Sequence, residues 1–405
     1  MVSMKRLYDS VIRDHFDRNE QMLFLSGPRQ VGKTTLAKNC SQLTEHFRYL
    51  NWDKTQDRAL ILVGAPSLLN GLPLNALLPR KPIIAFDEIH KYKNWRTLLK
   101  GLIDEYKGQL DILVTGSAKL NVFRRGGDSL MGRYFYYRVH PLSVAEINRT
   151  TLPTAPISSP QKIDEESFQA LFEFGGFPEP FIKQDKKFYQ QWQNLRQEQM
   201  LREDIRDLAH IQELAQLEML AIFLQQQVGQ LVEYSSLAKK IRVSDQTIRR
   251  WMNVLESFYY CFTIKPWSDN ISRSLIKQPK VYLWDWSQVQ DKGAKVENFV
   301  ASHLLKAVHF WTDIGFGKYE LYFLRDKNKN EVDFLITQDK KPWIMVEVKN
   351  SGKEPLSSAL HHFQSQLHVP HVFQLAFDLP YVDIDSFSLK KPMIVPAKTF
   401  LSQLV

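Results

Sequence analysis

The feature that most constrains this chain is the run Gly27-Pro28-Arg29-Gln30-Val31-Gly32-Lys33-Thr34, set between the apolar stretch Met22–Ser26 and a helical stretch that begins at Thr35. Its glycines let backbone N–H groups curl around phosphate oxygens, and the helix N-terminus behind it adds a dipole of the right sign. In that geometry Lys33 reaches the β- and γ-phosphates of a nucleotide, and the Thr34 hydroxyl holds Mg2+. The cradle runs from Gly27 to Thr35, and it needs a strand to enter it and a helix to leave it. Four apolar runs, MLFLSG, FRYLNW, PIIAFDE and DILVTGS, alternate with amphipathic helical stretches between Leu7 and about Arg149. Buried runs separated by helices predict a parallel sheet with crossover helices.

A second motif completes the chemistry. Pro82-Ile83-Ile84-Ala85-Phe86 is an apolar strand that ends in Asp87 and Glu88. Asp87 is placed to hold the magnesium shell and Glu88 to polarise an attacking water. An ion pair of Glu88 with Lys91 is the structural alternative. The next strand ends at Thr115-Gly116-Ser117, where a polar group can sense the γ-phosphate. With both halves present in chain order, the pattern is that of a P-loop NTP hydrolase.

Composition narrows the class. The 405 residues carry 53 basic and 44 acidic side chains, a net charge of +9, which favours an anionic partner such as nucleic acid. Only Cys40 and Cys261 occur, which excludes a disulfide framework or a cysteine-ligated zinc site and suits a reducing compartment. The N-terminus alternates charged and apolar residues, unlike a signal peptide, and no stretch approaches the roughly 20 apolar residues of a membrane helix. The chain therefore reads as cytoplasmic, with no membrane partner. Its patterning divides into residues 1–150, 151–212, 213–275 and 276–405, with Thr151–Pro160 as the linker.

The ordered motifs GPRQVGKT, IIAFDEIHK, VTGS, SLMGR, HPLSVAEI and GGFPEPF resemble AAA+-type ATPases of bacteria and archaea that carry a C-terminal restriction-endonuclease-like domain. The resemblance implies ATP as the nucleotide and Ser117 as the sensor. It also makes Arg133 the arginine that answers the γ-phosphate, from the same chain or from a neighbour in a homo-oligomer. An ordinary ion pair is the alternative for Arg133, and Arg124 and Arg125 compete for its role. Gly175-Gly176-Phe177-Pro178-Glu179 would be a turn in a helical lid, or an interhelical loop.

Between Tyr234 and Trp267 a short helix, a tight turn and a second helix capped by Ser244 make a helix-turn-helix, with YYCFTI as a wing strand. Ile248, Trp251, Leu255 and Phe258 or Tyr259 form its buried stripe. Gln246, Arg249 and Arg250 remain on the outer side, where a recognition helix meets DNA, and Lys239, Lys240 and Arg242 add charge. A solvated face or a protein contact is the alternative.

In the last block, Glu297 lies beside the apolar stripe of a helix, Glu331 and Asp333 alternate along one strand, and Glu347 and Lys349 along the next. Acids in apolar strands cost several kcal/mol unless paired or metal-bound. A hairpin that sets Asp333 beside Glu347, with Glu297 arriving from the helix, makes a carboxylate cage for a second divalent cation, and Lys349 would act on a water. This order resembles the PD-(D/E)XK nuclease superfamily. The alternative is a degenerate nuclease fold whose acids pair with Lys349 and Arg325.

The expected architecture is α/β: a P-loop NTPase parallel sheet with a helical lid, a winged helix-turn-helix and a C-terminal α/β restriction-endonuclease-like domain. The expected activity is Mg2+-dependent ATP hydrolysis acting on DNA, with metal-dependent cleavage at the C-terminal site. The rival is an ATP-dependent switch whose nuclease fold only docks.

Overall fold

The computed structural model describes residues 4–74, 77–116, 130–205, 213–268, 278–389 and 391–405. The chain forms two compact units, one of residues up to His140 with Thr150–Leu152, the other of Pro141–Arg149 with Pro153–Val405. Among the described residues no helix is long and apolar enough to cross a membrane.

The first unit is built in the order α1 (Leu7–Arg18), β1 (Met22–Ser26), α2 (Lys33–Asn39), β2 (Phe47–Asn51), α3 (Thr55–Val63), α4 (Ala65–Leu69), β3 (Ile83–Asp87), α5 (Trp95–Glu105), β4 (Asp111–Gly116) and β5 (Tyr134–Arg138). The strands pair in parallel in the order β2-β3-β4-β1-β5. Every residue of β1, β3 and β4 is buried, which is why these strands read as unbroken apolar runs and not as alternating ones. Helix α5 places Trp95, Leu99, Leu102 and Ile103 on one face, and these pack with Phe24, Ile84, Phe86, Ile112 and Val114 of the strands. The registers matter most. Ser26 lies beside Gly116 and Asp87 beside Thr115, so the tips of β1, β3 and β4 share one edge of the sheet.

The second unit contains α6 (Val144–Asn148), α7 (Glu165–Phe174), α8 (Pro178–Lys183), α9 (Lys186–Glu198), α10 (Leu214–Gln226), α11 (Tyr234–Ile241) and α12 (Asp245–Ser257). There follow β6 (Cys261–Pro266), β7 (Lys280–Leu283), α13 (Lys292–Asp313), β8 (Tyr319–Arg325), β9 (Glu331–Gln338), β10 (Lys341–Lys349), α14 (Ser358–Leu367), β11 (His371–Ala376), β12 (Met393–Pro396) and α15 (Ala397–Ser402). Seven strands form one mixed sheet in the order β12-β11-β10-β9-β8-β6-β7. The strand expected as a wing is β6, and it is no free-standing hairpin. It pairs antiparallel with β7, while Lys265 and Pro266 pair in parallel with β8 and so continue it into the large sheet.

Two motifs of the sequence find their physical reason in this unit. In HPLSVAEI, the Ser143 side chain caps α6 by accepting from the Glu146 N–H at 3.3 Å. Lys306 of α13 is 1% exposed and donates to Pro141 O at 3.1 Å, to Ser143 Oγ at 2.8 Å and to the wholly buried Glu146 carboxylate. Burial also pushes His303 down to about 3, which keeps it neutral, and its Nε2 accepts from the Val144 N–H at 3.1 Å. In GGFPEPF, a Cβ on Gly176 would come within 2.6 Å of the Trp286 ring, 2.7 Å of Leu142 O and 2.8 Å of Pro141 Cβ. The glycine lets these chains touch. Gly176→Ala should therefore destabilise the protein by about 1–3 kcal/mol, the usual range for overpacking a filled site. Chemical denaturation monitored by tryptophan fluorescence checks this, and an unchanged midpoint would contradict it.

Candidate active site

The phosphate loop follows β1 and is held from three sides. A Cβ on Gly27 would lie 2.3 Å from Val139 O, so only glycine fits where the loop passes the end of β5. Gln30 and Gly32 adopt positive φ of 63° and 103°, and α2 begins directly at Lys33. Val31 is fully buried, whereas Gln30, Thr34 and Thr35 are exposed and Arg29 is half-buried. A residue outside every motif staples this loop: the buried Arg6 guanidinium donates to Val31 O and to His140 O, each at 2.7 Å. Nothing short of the fold could have pointed to it, because its partners are backbone carbonyls far along the chain.

The Lys33 ammonium is 7% exposed and donates to Gly27 O at 2.8 Å and Pro28 O at 2.7 Å. Burial lowers its pKa to about 8, and the nearby Glu88 and Asp87 limit the fall.

Asp87 ends β3, 3% exposed, and gathers three hydroxyls. Thr34 Oγ1 donates to its Oδ2 at 2.8 Å, Tyr49 OH to the same oxygen at 2.6 Å, and Thr115 Oγ1 to its Oδ1. A hydroxyl and a carboxylate side by side are the hard oxygen donors that Mg2+ takes, so Thr34 and Asp87 fit that ion. Tyr49 is a residue the motifs gave no reason to single out; it enters because β2 neighbours β3.

Glu88 has a φ of 56°, a left-handed conformation that costs a non-glycine residue about 1–2 kcal/mol and turns the chain at the sheet edge. Burial raises its pKa, with Lys33 and Lys91 opposing the rise. Lys91 lies 3.8 Å from Glu88 but 2.6 Å from Asp53, so its closer partner is elsewhere.

Ser117, Arg124 and Arg125 lie outside the described residues. Arg133 immediately precedes β5, and Tyr134 pairs with Met22, so it lies at the opposite edge of the parallel sheet from the loop that follows Ser26. A strand of this length separates the two edges by about 15 Å. Arg133 pairs with Asp104, Nε to Oδ1 at 2.6 Å and Nη2 to Oδ2 at 3.0 Å. Within one chain the geometry therefore gives Arg133 the ion pair and not the γ-phosphate.

In the second unit, α11 and α12 flank a turn at residues 242–244, and Ser244 accepts from the Thr247 N–H at 3.1 Å. Ile248, Trp251, Met252 and Leu255 are buried. Gln246, Arg249 and Arg250 are exposed on the other side, with the Arg249 guanidinium 4.3 Å from the Tyr234 ring centre.

The four C-terminal residues expected to converge do so. Strands β9 and β10 pair so that Glu347 and Asp333 follow the pair Val346 and Phe334, and the Val348 N–H donates to Asp333 Oδ2 at 2.9 Å. Lys349 Nζ donates to Glu347 Oε1 at 2.8 Å, and Arg325 pairs with Glu331 at 2.6 Å. Burial first, and Asp333 second, push Glu297 and Glu347 above the usual carboxylate range.

The space between them differs from the expected cage. Lys280 Nζ stands 2.7 Å from Glu331, 3.3 Å from Glu297 and 3.4 Å from Asp333, and Tyr282 OH donates to Glu297 at 2.7 Å. That ammonium pairs with two of the three acids of the expected cage, Glu297 and Asp333. Among the described residues no group of three or more His, Cys, Asp or Glu is arranged to hold a metal. No motif or spacing in the sequence points to Lys280.

Because Lys33 must carry its proton to pair with phosphate, nucleotide affinity should fall as pH rises through about 8. Lys33→Arg, whose guanidinium keeps its charge, should flatten that limb. Fluorescent-nucleotide titrations across the range check this, and a wild-type affinity that does not change with pH would contradict it.

Residues 19–148 match the family described as AAA domain, while residues 165–290 and 292–377 match two families described as Domain of unknown function (DUF8612) and Domain of unknown function (DUF4143). An uncharacterized protein of Mycobacterium tuberculosis is 22% identical over 84% of this chain and 72% of its own length. One from Methanocaldococcus jannaschii is 21% identical over 87% of this chain and 82% of its own. The solved structure of the Aeropyrum pernix ORC1 protein in complex with DNA aligns with a TM-score of 0.32 at 13% identity, over 74% of this chain and 93% of that one, too distant to carry an assignment. Loop, acid tip, parallel sheet and family match agree on the first unit: it has a P-loop nucleotide-binding fold, and its residues 19–148 are similar to the family described as AAA domain.

Proposed function

We propose that the chain hydrolyses ATP with Mg2+ and acts on DNA, its C-terminal α/β region serving as a docking module. The observation that carries the ATPase reading is the meeting of Lys33, Thr34, Asp87 and Glu88 at one sheet edge. Backbone N–H groups of Gly27 and residues 29–35 cradle the phosphates, with Lys33 on the β- and γ-phosphates. Thr34 and Asp87 hold Mg2+, which when bound supplies charge neutralisation at the phosphate oxygens. Glu88 accepts the proton of the attacking water, and a carboxyl whose pKa is raised toward neutrality suits that transfer. Arg133 lies at the other edge, so an inter-chain contact in a homo-oligomer is the arrangement in which it would meet a γ-phosphate.

DNA is the partner that the net charge of +9 and the outer face of α12 support, with Gln246, Arg249 and Arg250 exposed together and Lys239, Lys240 and Arg242 just before them. For the C-terminal acids, Lys280 and Lys349 favour docking over cleavage.

Replacing Arg249 and Arg250 together by Ala should weaken duplex binding and reduce the slope of log K against log salt by about 2, at roughly 0.9 for each phosphate left without its arginine. Fluorescence anisotropy with a labelled duplex at several salt concentrations measures both. Unchanged affinity and slope would assign this face to a protein contact.

A further inference from the structure

We infer that Lys280 is the resident cation of the C-terminal acid centre, standing where a divalent ion would stand, so that the centre takes up metal only when this ammonium is removed. Lys280 begins β7, and its Nζ lies 5.6 Å from the Phe323 ring centre on β8, with Glu297 and Asp333 both within 3.4 Å. Its side chain is 4% exposed, so water does not solvate the charge; the carboxylates do. Two like charges cannot share that space, since Mg2+ and its relatives need carboxylate oxygens at about 2.0–2.1 Å, all drawn to one point.

Charge balance supports the same assignment. Four carboxylates, Glu297, Glu331, Asp333 and Glu347, face three cations, Lys280, Arg325 and Lys349. With all four acids ionised and Lys280 removed, the surplus is two negative charges, which one divalent ion matches. A second observation shows that the acids of this centre rely on cations and not on hydrogen-bond donors. Glu347 is 7% exposed, and its buried Oε2 finds no hydrogen-bond partner among the described residues while Oε1 holds Lys349. A buried carboxylate oxygen with nothing to accept is costly unless a positive charge lies nearby. The inference concerns this centre alone and stands whether or not the chain hydrolyses ATP or binds DNA.

The test is a Mn2+ titration of the full nucleotide-free chain, read by the electron paramagnetic resonance of the free ion. Lys280→Met should gain a site at least about tenfold tighter than any in wild type, a difference of roughly 1.4 kcal/mol. Adding Asp333→Asn should abolish that site, which separates it from binding at Thr34 and Asp87. Lys280→Arg, which keeps the charge, should behave as wild type. A wild-type site that Asp333→Asn removes, or a folded Lys280→Met chain that gains none, would overturn the inference. Should Lys280→Met fail to fold, melting decides. Any Mn2+-dependent rise in the wild-type melting temperature should persist in Asp333→Asn, and Asp333→Asn should melt lower in metal-free buffer by taking a partner from Lys280. A wild-type rise with Mn2+ that Asp333→Asn cancels would equally overturn it.

Discussion

The first unit depends on one carboxylate. Asp87 is buried at the tip of β3, where an ionised acid without donors would cost several kcal/mol. Thr34, Tyr49 and Thr115 supply the donors, one from the first turn of α2, one from β2 and one from the end of β4. The contacts that offset its desolvation therefore also fix the phosphate loop against two neighbouring strands. Arg6 does the same work on the other side of the loop, holding Val31 and His140 through their carbonyls. The loop is thereby shaped before a nucleotide arrives, which lowers the ordering that binding must supply.

The second unit handles buried charge in two different ways. Lys306 and Glu146 form a buried pair, and Ser143 and Pro141 accept from the same ammonium. Such a pair adds little net stability but tolerates only one arrangement of α6 against α13. The acid centre around Lys280 is open by comparison. One ammonium is shared among three carboxylates, and Glu347 has an oxygen with no donor among the described residues. The difference separates a structural lock from a site.

What was legible in the sequence was local. The phosphate loop, the acid pair Asp87-Glu88 and the parallel sheet follow from residues adjacent in the chain and from unbroken apolar runs, and the structure has them where expected. The approach of Glu297, Asp333 and Glu347 was legible because alternation along two strands and the face of one helix fix it. What was not legible depends on strand order. Tyr49 reaches Asp87 only because β2 lies next to β3. Lys280 reaches Asp333 from a strand three places away in the sheet, and no spacing in the sequence signals that. Arg133 precedes a strand parallel to β1, so it must sit at the edge away from the loop; the motif order alone hid this. The strand expected as a wing does not end a small module, because Lys265 and Pro266 carry it into the large sheet.

The most direct test of the central claim is ATP turnover by Glu88→Gln, measured alongside ATP binding on the same protein. Glutamine keeps the shape of the side chain and its place at the sheet edge but cannot accept the proton of the attacking water. The account predicts that ATP binds about as tightly as to the wild type while turnover falls at least about a hundredfold. Turnover at the wild-type rate would take Glu88 out of the chemistry and contradict the assignment of this edge as a hydrolytic site.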